Sequence, residues 1–145
     1  MSSNNYEIPH IIVALDYNKE NKALDMAKIL DPSLCILKVG LELYVSCGPK
    51  IVNALHKLGY KIFLDLKFHD IKNTVIKSSL VAADLGVWMI NVHSSGGVEM
   101  MSGVANTIKE NNYSTLVTGV TVLTSLDNDD IKTIGYSNNT KDQVM

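Results

Sequence analysis

The chain has 145 residues, 46% of them hydrophobic and 19% charged, enough to bury one core and too apolar for a disordered polymer. Its formal charge is −2, and no basic stripe interleaved with aromatics occurs, which excludes a nucleic-acid face. Met1 to His10 is polar and lacks the apolar segment of a secretory signal, and no apolar run approaches the roughly 18 residues of a membrane span.

A cytoplasmic protein with neither nucleic-acid nor membrane partners is therefore expected. Cys35 and Cys47, without a CxxC or a zinc-ligand spacing, read as two reduced thiols. All 13 basic side chains are lysines, so the usual bidentate phosphate clamp, arginine, is missing.

Short apolar runs alternate with amphipathic stretches. Ile11 to Asp16 reads as a strand, followed by a helix over Lys19 to Leu30 that Asp31-Pro32 stops. Cys35 to Gly40 is a second strand. A helix then starts at Pro49, buries Ile51, Val52, Leu55 and Leu58, and closes at Gly59. Lys61 to Lys67 is the third strand and Thr74 to Leu85 the third helix. Val87 to His93 is the fourth strand, Val98 to Lys109 the fourth helix, and Leu116 to Thr124 the fifth strand.

The organisation expected is a polar segment over residues 1–10 and one domain over 11–145. Strands apolar on both faces require a parallel sheet covered by helices. That order fits an open doubly wound sheet or a (β/α)8 barrel. The first turn, Asp16-Tyr-Asn-Lys-Glu, has no glycine, whereas Asp16, Lys38, Asp65, Lys67, His93 and Thr124 fall at successive strand ends. A ring of polar strand ends favours the barrel. Eight strands close such a barrel and five are legible, so the fold expected is a (β/α)8 barrel truncated to about five strands. Thr140-Lys-Asp-Gln143 resembles a capping box opening a helix just before Met145, which also reads as truncation.

The chemistry concentrates in Asp65-Leu-Lys67-Phe-His-Asp70. Alternation along a strand turns Asp65 and Lys67 to one face, and Asp70 lies in the loop beyond. Carboxylates on either side keep an ammonium charged while burial opposes it, which suits a lysine that must donate a proton to a developing carbanion. A purely structural ion-pair network is the plainer alternative.

Lys38 is a lone charge in an apolar strand and needs an anionic partner, for which Asp16 is placed. His93 reads as a hydrogen-bonded strand-end residue and His69 as a loop residue. No His pair at metal-ligand spacing occurs. Gly96-Gly97 reads as a turn, Met100-Met101 as core, and Asp127 to Asp130 as an exposed helix start.

Val13-Ala-Leu-Asp16, Leu37-Lys-Val-Gly40, Phe63 to Ile71 with Asn73-Thr74, Asn91-Val-His93 and Thr121 to Ser125 together resemble the successive signatures of bacterial orotidine 5′-phosphate decarboxylases. The resemblance runs from about Ile11 to Ser125 and covers about half of that family's chain. It implies Lys67 as the proton donor to C6 of the pyrimidine and Asp65 as the carboxylate beside the substrate's own. It implies Asp70, Ile71 and Thr74 as a segment lent across a homodimer. Asp16 and Lys38 would hold the ribose and extend the charge network, with Lys38 also in the catalytic set. Thr124 and Ser125 would contact substrate. The implied reaction converts orotidine 5′-phosphate to UMP with no cofactor and no metal.

Two departures stand out: Lys72 replaces a usual proline, and the phosphate grip with its arginine, which the family carries in later loops, is missing. The truncated chain is accordingly expected to be inactive alone. The alternatives are a metal-dependent sugar-phosphate decarboxylase or aldolase of the same superfamily, and a non-catalytic relic.

Overall fold

Apolar runs rich in valine, isoleucine and leucine form five parallel strands, paired in the order β1-β2-β3-β4-β5. They are β1 Ile11–Ala14, β2 Cys35–Gly40, β3 Ile62–Phe68, β4 Met89–His93 and β5 Leu116–Val120. This computed structural model describes Pro9 and residues 11–145; Pro9 apart, the polar segment expected over 1–10 lies outside the described residues.

Helix α1 (Glu20–Ile29) joins β1 to β2, and α2 (Leu41–Cys47) with α3 (Lys50–Lys57) joins β2 to β3. Helix α4 (Lys72–Asp84) joins β3 to β4. A 3-10 turn (Ser94–Gly96) and α5 (Val98–Glu110) lead to β5, and α6 (Asn128–Thr133) and α7 (Thr140–Val144) follow. Crossovers between parallel strands are right-handed almost without exception. An unbroken sequential order then puts the connecting helices on one face, and the sheet curls as an arc of a (β/α)8 barrel. A doubly wound sheet would instead reverse its strand order at a switch point.

The helix-facing side carries Leu37, Val39, Ile62, Leu64, Ile90 and Val92, packed with Ala23, Leu43, Val52, Leu55 and Val104 in one cluster. The other face is read from the register. Ala14, Lys38, Phe63, Met89 and Leu116 form one row across the sheet, and Gly40 and Asp65 lie one step further along. Helices α4 and α5 approach closely enough that a Cβ on Gly103 would come within 2.7 Å of Ile76 Cδ1.

Several sequence expectations need correction. β1 ends at Ala14 rather than Asp16, and β4 begins at Met89 rather than Val87. β5 ends at Val120 rather than Thr124, because its partner β4 leaves the sheet at His93, whose register mate is Val120. Helix α2 was not anticipated; it fits in the short span before Gly48, whose φ of 65° stops it. The expected helix start at Asp127 is present as a reciprocal capping box with Asp130. The cap of α7 is Asn139, one residue before the expected Thr140.

Leu64 is fully buried between sheet and helices. Leu64→Ala should lower the unfolding free energy by about 2–5 kcal/mol in urea titrations. Ile29→Ala, at a side chain 80% exposed, should stay within about 0.5 kcal/mol of the parent.

Candidate active site

Strand order sets the site. Asp16 follows β1, Lys38 lies on β2, and Asp65 and Lys67 lie on β3, so adjacent strands bring alternating charges together. Lys67 Nζ donates to Asp65 Oδ1 at 2.6 Å. Lys38 Nζ lies 3.3 Å from Asp65 Oδ2 and 3.5 Å from Asp16 Oδ1. The row Asp16–Lys38–Asp65–Lys67 is thus continuous. Asp65 is its buried member, only 8% exposed, while Asp16 is open to solvent. Burial pushes the Asp65 carboxyl upward, but Lys67, Asn91 and Lys38 outweigh it and hold the group below its ordinary value.

β3 is not regular where the charges sit. Leu64 pairs with Ile90 and Phe68 with Val92, so Asp65, Leu66 and Lys67 together face Asn91 alone. Lys67 takes a φ of 53°, a left-handed conformation that a lysine rarely adopts. Simple alternation therefore does not explain the Asp65–Lys67 contact; the bulge does. Buried Asn91 donates from Nδ2 to Asp65 Oδ1 at 2.6 Å and accepts from the Lys67 N–H at 2.7 Å. Sequence reasoning quoted Asn91 within a motif without giving it a role. Its signal was the one already used for Lys38, a lone polar residue inside an apolar strand.

His93 and His69 stack with ring centroids 5.2 Å apart. Burial, then the neighbouring His69 and Lys67, push His93 below its ordinary value and favour its neutral ring. Among the described residues Asp70 forms no ion pair with the charged row. It sits exposed in the turn after β3, and its carboxylate accepts from the Ile71 N–H at 2.6 Å. Ile71 precedes α4 with 76% of its surface exposed, and Thr74 lies exposed in the first turn of that helix. A cleft of about 410 Å³ is lined by Lys67, His69, Asp70 and Thr74 together with Tyr44 and Leu66.

Thr124 and Ser125 stand in an exposed turn beyond β5, and no hydrogen bond among the described residues ties their side chains to the charged row. Lys72, at the first position of α4, pairs with Glu99 of α5 at 3.0 Å. Chemically, the row offers an ammonium fixed against a carboxylate at a partly open mouth, which is a proton source with a permanent anion beside it.

The comparisons agree with this geometry. A family model described as "Orotidine 5'-phosphate decarboxylase / HUMPS family" matches residues 9–145. The orotidine 5′-phosphate decarboxylase of Buchnera aphidicola subsp. Schizaphis graminum is 46% identical over 143 residues, covering 99% of this chain and 61% of the relative. That of Marinomonas sp. is 54% identical over 126 residues, covering 86% of this chain and 54% of the relative.

Among solved structures, the orotidine 5′-phosphate decarboxylase of Lactobacillus acidophilus superposes with a TM-score of 0.85 at 32% identity. That match covers 95% of this chain and 64% of the other. An uncharacterized conserved protein from Geobacillus kaustophilus gives 0.85 at 33% identity, covering 92% and 65%. The chain spans between 54% and 61% of these two curated relatives' own length. With a match along nearly its whole length and the fold of solved members, the chain belongs to the orotidine 5′-phosphate decarboxylase / HUMPS family.

Proposed function

We propose that this chain supplies the charged part of an active site that converts orotidine 5′-phosphate to UMP and carbon dioxide. The observation that carries the reading is the contact row Asp16–Lys38–Asp65–Lys67. Asp65 faces the substrate carboxylate. The bond from C6 to that carboxylate breaks, and its electron pair stays on C6 as carbon dioxide leaves. The Lys67 ammonium then delivers its proton to C6 and is recharged from solvent. An ammonium fixed where negative charge develops stabilises the transition state more than the ground state, which is what lowers a barrier.

Lys38 and Asp16 hold the ribose. Asp70, Ile71 and Thr74 reach a partner subunit's site in a homodimer, with Thr124 and Ser125 as further substrate contacts. The exposure of Ile71, and the absence among the described residues of any ion pair between Asp70 and the charged row, support that sharing. The reaction as drawn uses no cofactor and fits a cytoplasmic enzyme of pyrimidine synthesis.

Activity is best tested by joining this chain to the C-terminal remainder of the Buchnera relative and following loss of orotidine 5′-phosphate absorbance. Turnover is expected. Lys67→Ala should reduce kcat by at least about a thousandfold while UMP binding stays within about tenfold. Near-normal kcat in that variant would remove Lys67 from the mechanism. Mixing Lys67→Ala with Asp70→Ala subunits should restore activity toward roughly a quarter of the sites, one intact site in each mixed dimer. No recovery despite proven subunit exchange would mean that each site is built from one chain. The 145-residue chain alone should give no turnover, because β1 and β5 each lack a second neighbour among the described residues and leave the mouth unclosed. Turnover by the chain alone would overturn that expectation.

A further inference from the structure

We propose that Asn91 is a positioning residue that locks the backbone of Lys67 and aims the carboxylate of Asp65, so that β4 sets the geometry of a charge row to which it contributes no member. The catalytic meaning of this inference rests on the decarboxylase reading; its structural content does not.

Along β3 the backbone groups turn alternately to its two neighbours: Ile62 O accepts from the Trp88 N–H ahead of β4, and Lys61 O accepts from the Leu37 N–H of β2. Lys67 falls on the β2 side of that alternation, yet β2 ends at Gly40, level with Asp65, and its ladder offers Lys67 no partner. An unpaired N–H in a half-buried strand is unfavourable, and the structure places Asn91 Oδ1 2.7 Å from it. The side-chain amide thus stands in for the missing strand carbonyl. The same amide turns its Nδ2 to Asp65 Oδ1 at 2.6 Å.

Asn91 is itself only 3% exposed and paired through its backbone with Thr118 of β5, so its anchor is rigid. One side chain therefore fixes both residues across the bulge. Lys67's left-handed backbone persists only where the surroundings impose it, and this bond is the contact that does so.

The choice of asparagine follows from the charge count. Around Asp65 stand Lys67 on its own strand, Lys38 on β2 and Asp16 beyond β1, two carboxylates against two ammoniums. His93 on β4 is pushed toward its neutral form. A neutral residue with one donor and one acceptor serves both needs without upsetting that balance. An aspartate keeps the acceptor but adds charge, and an apolar residue leaves both groups unserved.

Two variants separate the two bonds in the 145-residue chain. The readouts are hydrogen exchange of the Lys67 amide and carboxyl 13C titration of Asp65. Asn91→Ala should speed Lys67 exchange about tenfold while Leu64 and Ile90 amides keep their protection. It should also move the Asp65 titration upward. Asn91→Asp should leave Lys67 protected and still move Asp65 upward, since only the donor is lost. A merely space-filling Asn91 would change melting temperature and neither readout. Unchanged Lys67 exchange and Asp65 titration in a folded Asn91→Ala chain would overturn the proposal. Neither readout needs turnover, so both changes in the 145-residue chain, with no decarboxylation by its fusion to the Buchnera remainder, would count against the decarboxylase reading and leave this inference standing.

Discussion

The rest of the site depends on Asp65, a carboxylate carried into a place where little water reaches it. Left unpaired, such a group would be protonated or would unfold its surroundings. Here one oxygen takes the Lys67 ammonium and the Asn91 amide, and the other faces Lys38. Each of those partners comes from a different strand or from across a bulge, so the carboxylate stays ionised only if β2, β3 and β4 are in register. The apolar cluster on the helix side supplies the free energy of folding. The carboxylate makes one register far better than its neighbours.

Much of this was legible in the sequence because strong signals have one physical cause. Strands apolar on both faces needed a parallel sheet with helical cover, and β2 occurs with the very limits its residues suggested. The lone Lys38 demanded an anion and has two. What stayed hidden was conformational rather than compositional. Nothing in Asp65-Leu-Lys67 announces a left-handed lysine, because that backbone is imposed by Asn91, 24 positions away. The end of β5 was misjudged for a similar reason: Thr121 to Thr124 has good strand propensity, but the neighbouring chain departs at His93 and leaves it nothing to pair with. Helix α2 was missed because seven residues of mixed character between two glycines give too short a period to read.

The lysine-only cation content suits this row. A guanidinium holds its proton under nearly all conditions and binds as a planar fork, whereas an ammonium is a compact charge that can give a proton away. Lys67 stands 2.6 Å from one carboxylate oxygen without the bidentate grip an arginine would impose.

The bulge in β3 also decides which residues the chain can bring together. From Leu64 to Phe68 is four steps, while their partners Ile90 and Val92 are two apart, so β3 carries two surplus residues. An odd surplus would have inverted inside and outside for everything downstream; an even one preserves parity, and Phe68 packs against the helix-side core as Leu64 does. The surplus is taken up inside the bulge and adds no length, because Phe68 still lies level with Val92. It crowds Asp65 and Lys67 against one residue of β4, so that a single side chain reaches both. A regular strand would set the two opposite different residues of β4, about 6–7 Å apart along the ladder.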